Sequence, residues 1–549
     1  MFKLFVILSL IYLSLVGYSL FFKYLILKNN NKIFYNLDIF YGLGFVIFIA
    51  IVVNFYYPLI YLSFIIIVPG IVILLTFKKK ISFKCNLFSF LILLFFFIFI
   101  SYKSPYNLAA DTPFYHLQTI KWLSDFKISF GLANLEPRYG LNSIWHIMIS
   151  LFNFKIFNIN LIYHINLIIY AVTFNEIFSR EVKNIKSLSF IYLYVTLSFI
   201  LIYALIHPAY NGTIFNNLGS PEVDIVAMLF FILSGYTFLK IHEDKSSNQL
   251  EILIILVIIC YLTKLSYVTS ALFLLFLIFS SANLKNFFKQ KILYFAITIN
   301  FFWILRNLII SGCAVFPLNF TCLNFSWAYE KKELEIFYNL IKSFSRDTPL
   351  REKYYDFNYT LETFNWLRPW FETYFLQTAI LIICSIIFIF SFISLVVYFI
   401  IKKNLILKKE FYLFLIVCFL STYLWLYAPE VRFGYGYIIS ISTLLASGII
   451  YILINNQNFV KRYHLNLIIF IIYFAVFYKN LSNFKIISLD IEHNFNYENF
   501  SIVSKDNDYN FFKPPSGNNC AFFLEFCVYQ EGSYQASLKS GYFFFTKHK

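Results

Sequence analysis

Runs of roughly 20 apolar residues recur from one end of this chain to the other, and no other feature restricts its fold so strongly. Within a bilayer each segment must satisfy its own backbone N–H and C=O groups, which helices do. Candidate spans are 1–27, 39–57, 58–77, 87–103, 158–178, 187–205, 222–240, 249–263, 265–281, 291–310, 374–400, 410–427, 433–454 and 464–478. Two pairs are barely separated, at Pro58 and Lys264, so roughly 13–14 crossings are expected. The fold class is all-α, a polytopic helical membrane protein. Of 549 residues, 60% are hydrophobic and 13% charged, more apolar surface than a soluble core needs. The first apolar stretch, after Lys3, is long and lacks a small-residue cleavage site. It reads as a retained helix, not a signal peptide.

A net charge of +16 would point to nucleic acid in a soluble chain. Here the basic residues sit in short turns: Lys78–Lys80 with Lys84, Arg180/Lys183/Lys186, Lys285/Lys289/Lys291, Lys402/Lys403/Lys408/Lys409 and Lys461/Arg462. Counting spans puts all of these on one side, which the positive-inside rule makes cytoplasmic. Lys3 dissents, because the same count leaves the N-terminus outside. The expected partner is therefore the lipid bilayer, with no nucleic acid. The other face receives the loops 104–143, 206–221 and 311–373. A membrane domain over 1–478 and an outer tail over 479–549 follow. The tail's apolar pieces, 521–526 and 542–545, suit a small β-containing cap over the outer opening. The apolar stretch Ile144–Phe154 is too short to span and reads as interfacial or re-entrant. Cys313/Cys322 and Cys520/Cys527 read as short-loop disulfides on an oxidising face. A four-thiolate zinc site is the alternative, without the usual CxxC spacing. Asn211-Gly-Thr is a formal glycosylation sequon.

Polar residues on that outer face collect at span ends. Asp111-Thr-Pro-Phe-Tyr-His116 opens a helix expected to reach Asp125, with Asp111 at the N-cap and Pro113 in the first turn. Tyr115, Gln118 and Trp122 share one face, and Lys121 follows on the same helix. Arg138 and Asn142 come next, then Glu222 and Asp224 at the start of a span, and Lys264 between two apolar stretches. Arg306-Asn307 ends a span, and Glu430 and Arg432 enter another. Each has an ordinary reading: snorkelling for Lys264 and Arg306, capping for Asp111, a satisfied histidine for His116. Together, two carboxylate sites and three cations at one rim suit an anionic lipid headgroup and a polar acceptor. Moving a sugar off a lipid phosphate needs cations on the leaving phosphate, for which Lys264, Arg306 and Arg432 are candidates. The attacking hydroxyl needs a carboxylate base, for which Asp111 is the candidate, with His116 in support. Tyr115, Trp122 and Trp145 could stack on sugar rings. No GxGxxG, Walker A or HExxH pattern occurs. No cofactor is expected, and a divalent metal stays open.

At these residues the chain resembles the GT-C superfamily of polytopic membrane glycosyltransferases. Their hallmark is an acidic residue in an outer loop after a span, followed by short interfacial helices. More narrowly, it resembles a family of bacterial polytopic membrane proteins without an assigned activity. The residues concerned are Asp111, Tyr115-His116, Lys121-Trp122, Gly131-Leu-Ala-Asn134, Arg138, Asn142, Lys264-Leu-Ser266, Arg306-Asn307, Ser311-Gly312, Pro317, Arg432-Phe-Gly434, Cys520 and Cys527. The superfamily resemblance implies a polyprenyl-phosphate-linked sugar donor, a glycan or lipid-linked acceptor, and a site on the outer face of a bacterial inner membrane. It also implies a role in envelope polysaccharide biosynthesis. Asp111 and His116 would be the catalytic residues. Tyr115, Lys121, Arg138, Asn142, Glu222, Asp224, Lys264, Arg306, Asn307, Glu430 and Arg432 would bind substrate. A flippase or transporter of lipid-linked glycans, or an O-antigen polymerase or ligase, are the competing readings.

Overall fold

The computed structural model describes every residue except 29–32, 78–81, 104–110, 157–158, 180–185, 207–217, 245–246, 281–289, 348–351, 354, 403–406, 457–474, 476–500, 507–508, 514–519, 521–525, 529–532 and 549. The turns at 78–80, 180–183, 285–289 and 461–462, the sequon at 211 and all but Ala475 of the expected span 464–478 lie outside the described residues.

Among the described residues, eight helices are long and apolar enough to cross a membrane. They are Phe2–Ile26, Asn36–Asn54, Leu59–Phe77, Leu161–Phe178, Asp224–Glu243, Lys291–Ser311, Ala379–Ile401 and Tyr435–Asn455. Four more stretches expected as spans form shorter apolar helices: Leu87–Ser101, Leu188–Tyr203, Gln249–Thr263 and Leu265–Phe279. The last two are divided at Lys264, whose extended backbone (φ −151°, ψ 119°) ends one helix before a 3-10 turn begins the next. Pro58, with ψ 140°, breaks the chain in the same way between two spans. A proline or a cation at a helix boundary is legible in sequence because neither continues an apolar helix at no cost.

The first span packs tightly on the third. A Cβ added at Gly17 would lie 1.8 Å from the carbonyl oxygen of Gly70, so the two backbones touch. Small residues let helices approach this closely where lipid supplies no hydrophobic drive for association. The hydroxyls of Ser14 (3.2 Å) and Tyr18 (2.8 Å) donate to the Ile66 carbonyl, just ahead of Pro69 in that helix.

Charged residues are not confined to the Asp111 rim, as a sequence reading of apolar span interiors suggests. At the opposite helix ends, Lys23 Nζ lies 2.5 Å from Asp38 Oδ2, both side chains fully buried. Glu176 accepts from Asn36 Nδ2 (3.0 Å) and Tyr236 Oη (2.9 Å), with Lys240 Nζ at 3.5 Å. Tyr41 donates to Glu251 at 2.9 Å. Lys23 with Asp38 and Lys240 with Glu176 pair opposite charges from different helices, which is how such groups are tolerated at membrane depth.

On the Asp111 face, Thr112–His116 forms a π-helical turn that runs into the α-helix Leu117–Asp125. Ile144–Ser150 is a short buried helix, as its length requires. The tail forms two antiparallel hairpins, Ser501–Asp506 with Tyr509–Lys513 and Ser533–Lys539 with Tyr542–His548. They lie over the Leu117–Asp125 helix. The Trp122 ring centre is 5.5 Å from that of Phe545 and 6.3 Å from those of Phe526 and Phe543. Phe130 exchanges backbone hydrogen bonds with Phe543 (2.8 Å) and Phe545 (2.9 Å). Cys313–Cys322 and Cys520–Cys527 are both disulfides.

Candidate functional site

The Asp111 face gathers residues from five separated parts of the chain. Asp111 occupies the N-cap position but makes no cap hydrogen bond. Its carboxylate instead takes a hydrogen bond from Arg432 Nη1, 321 residues away. The capping reading is therefore corrected: a cation competes with the helix N–H groups for the same oxygens and wins. Burial works to raise the Asp111 carboxyl, and the Arg432 charge, with Arg138, overrides it and holds the group below its ordinary value. Arg432 also lies 3.8 Å from Glu430 Oε1.

Beside this pair stands a second one. Lys264 Nζ donates to Asp224 Oδ1 and lies 4.3 Å from the centre of the Phe433 ring, next to Arg432 in sequence. Ser266 Oγ donates to the Phe433 carbonyl (3.1 Å), tying the Lys264 break to the Arg432 turn. Glu222 reaches the same field through the Ser220 turn. Ser220 Oγ is 3.3 Å from Thr112 Oγ1, and it accepts from the Glu222 N–H (3.2 Å). Burial first, then the Asp224 and Asp111 charges, push the Glu222 carboxyl up to about 8. Glu222 is thus a neutral acid at physiological pH, while Asp111 is a carboxylate. One cluster holds carboxyl groups in both protonation states, an arrangement suited to moving a proton.

His116 is 2% exposed, and among the described residues neither of its nitrogens has a hydrogen-bond partner. Its ring centre lies 4.8 Å from that of His146, which is equally buried and has an unpartnered Nε2. Burial drives the His116 imidazole down to about 3, so it stays neutral beside Asp111.

The structure does not bring all the expected residues into one place. Lys121 pairs with Asp125 (2.8 Å) one turn along its own helix, half exposed, and stands apart from the cluster. Arg138 Nε binds Glu136 Oε1 (2.6 Å) and stacks over Phe114 and Tyr115. Arg306 and Asn307 sit at the far end of the Leu117–Asp125 helix, around Asn142. Arg306 Nε donates to Asn142 Oδ1 (2.9 Å) and Asn142 Nδ2 to Asn307 Oδ1 (2.7 Å). Asn142 holds a left-handed backbone (φ 45°), which asparagine tolerates better than most residues. Arg306 holds Asn54, which donates to the Leu123 carbonyl, and twelve residue steps from Asp111 to Leu123 rise about 18 Å along the helix at about 1.5 Å each. The pocket that Arg306 lines includes neither Lys264 nor Arg432.

Sequence reading missed His146, Asn54, Asn166 and Glu136. His146 sits in an apolar stretch that offers no pattern around it. Asn166, which donates to the Ser220 (2.8 Å) and Glu222 (2.9 Å) carbonyls, looks like any polar residue inside a span. A single polar residue inside an apolar helix was the available signal. Among the described residues no group of three or more His, Cys, Asp or Glu side chains is arranged to hold a metal ion.

The chain belongs to a family described as a domain of unknown function (DUF8201), whose model matches residues 1–439. No curated protein and no solved structure matches it. The matched region includes both ion pairs of the cluster and ends before the tail hairpins.

Proposed function

We propose that this chain is a GT-C-like membrane glycosyltransferase. It moves a sugar from a polyprenyl-phosphate donor to an envelope glycan or lipid-linked acceptor. The Asp111 face is read as the outer face of a bacterial inner membrane, and a bundle of 13–14 crossings as its frame. The observation that carries this reading is the paired arrangement Asp111–Arg432 and Asp224–Lys264 at the ends of spans, beside the buried Glu222.

The chemistry follows from those groups. Asp111 takes the proton of the acceptor hydroxyl as that oxygen bonds to the anomeric carbon. The bond from that carbon to the phosphate oxygen breaks, and the phosphate leaves with the electron pair. Arg432 and Lys264 neutralise it. Both cations are already held by carboxylates, so substrate phosphate must displace those partners. Glu222, carrying its proton, can donate a hydrogen bond to the phosphate or to a sugar hydroxyl. The neutral His116 and His146 offer further donors or acceptors without adding charge.

Purified protein incubated in detergent with labelled polyprenyl-phosphate sugars and candidate acceptors should transfer label, and Asp111→Asn should not. Transfer by Asp111→Asn at the wild-type rate would remove the carboxylate from the chemistry. A second reading, a lipid-linked glycan flippase, is favoured by the buried charges Lys23, Asp38, Glu176 and Lys240 at the opposite helix ends. Glycan crossing a vesicle membrane with no transfer in detergent would select it.

A further inference from the structure

The Arg306 guanidinium is 4% exposed, and among the described residues no carboxylate pairs with it. Its hydrogen-bond partners are two neutral amide oxygens, Asn142 Oδ1 (2.9 Å) and Asn54 Oδ1 (2.6 Å). The amide groups of Asn54 and Asn142 are fixed in turn. Asn54 Nδ2 donates to the Leu123 (3.2 Å) and Phe126 (3.1 Å) carbonyls, so its oxygen must face the cation. A buried charge without a counter-charge is costly and rarely kept.

The same guanidinium lines a small pocket with Trp122, Tyr139, Thr119, Ser129 and Lys127, and no acidic residue contributes to the wall. Trp122 Nε1 and Tyr139 Oη are buried and have no hydrogen-bond partner among the described residues, although such groups usually find one. Trp122 is 3% and Tyr139 2% exposed. Arg306 and these two donor-bearing residues therefore line one pocket that takes little more than a water-sized group. Lys127 also lines the wall, with its Nζ donating to the Ser540 carbonyl (3.3 Å) and lying 3.6 Å from the centre of the Tyr542 ring.

We propose that this pocket binds a phosphate group, with one phosphoryl oxygen entering between Arg306, Trp122 and Tyr139 and the rest of the group held outside near Lys127. A buried guanidinium without a counter-charge, in a lining that holds no acid, favours an anion over a metal. The position fits a phosphate at headgroup depth. Asn54 ends one span, and Arg306 lies about one turn from the end of another. This site lies at the other end of the Leu117–Asp125 helix from Asp111 and does not rest on the sugar-transfer reading.

The test uses full-length protein in detergent and two probes, inorganic phosphate and dihexanoyl phosphatidic acid. Binding of both shows that the phosphate group suffices, and binding of the lipid alone shows a lipid-borne headgroup. Binding of neither, or equal displacement by chloride, overturns the proposal. Tyr139→Phe keeps the ring and removes its hydroxyl, and Trp122→Phe removes the indole N–H together with part of the ring, so each should weaken binding by about 3–10-fold. Arg306→Gln should weaken it by about 100-fold. If Arg306→Gln fails to fold, the two conservative variants decide, and unchanged affinity in both refutes the site. Arg432→Gln should retain binding; loss there instead would place the anion in the Asp111 cluster and overturn the proposal.

Discussion

Asp111→Asn should bind a polyprenyl phosphate more tightly than the wild type does while transferring nothing. In the resting protein Arg432 is occupied by Asp111, so the variant frees a cation that substrate phosphate otherwise has to win. The size of the effect follows from burial. Both side chains are about one fifth to one quarter exposed, between a surface pair and a buried one. A surface pair contributes about 0–1 kcal/mol, and breaking a buried one costs about 3–5 kcal/mol. Arg432 keeps some compensation in the variant, because Glu430 remains 3.8 Å away. A net release of about 1–2 kcal/mol is therefore expected, or about 5–30-fold in affinity. The assay is equilibrium binding of a polyprenyl phosphate without a sugar to detergent-solubilised protein. Running it in an Arg306→Gln background keeps the second phosphate pocket from contributing. Unchanged or weaker binding by Asp111→Asn would mean that Arg432 is not where the phosphate goes, and the transfer mechanism would lose its anion site.

Glu222 makes stability fall as pH rises. Its carboxyl is raised to about 8 in the folded chain against 4.5 for the free group, so its contribution is complete below about 4.5 and is lost towards about 8. His116, lowered to about 3, acts oppositely between about 3 and 6.5, so the net fall should show between about 6.5 and 8. Unfolding of Glu222→Gln followed over that range should lack the decline; a slope equal to the wild type's would refute the assignment. Lys23→Met or Asp38→Asn alone should cost about 3–5 kcal/mol by stranding a buried charge. The double variant Lys23→Met/Asp38→Leu should recover most of it in detergent–SDS titrations, and additive losses would count against a direct pair. Gly17→Val should destabilise the bundle or prevent its assembly, since its Cβ meets the Gly70 carbonyl; normal thermal stability would contradict that packing.

What could be read from the chain was what depends on local composition. Apolar runs mark helices, and Pro58 and Lys264 mark breaks, because a bilayer punishes each misplaced polar group individually. The helix after Asp111 was legible from Pro113 and the spacing that follows. Pairing was not legible. Nothing near Asp111 in sequence indicates that its partner is Arg432 rather than a helix N–H, and nothing near Lys23 points to Asp38 as a buried counter-charge. Arg306 shows the limit best: next to Asn307 at a span end it looks like one more cation of the rim, and only the fold shows that Asn54 and Asn142 hold it elsewhere.

That separation changes how the cations should be counted. Lys264 and Arg432 already have carboxylate partners, so the cluster around Asp111 is close to neutral before any substrate arrives. Arg306 has none, and its charge is met only by amide dipoles. Attraction of a first anion should therefore be strongest at the Arg306 end of the Leu117–Asp125 helix, and exchange of ion-pair partners is required only at the Asp111 end. A neutral acid–base cluster next to a separate anion pocket would hold one substrate by its phosphate while the other end performs proton transfer. The Leu117–Asp125 helix, packed under Trp122 by the tail hairpins, fixes the distance between the two.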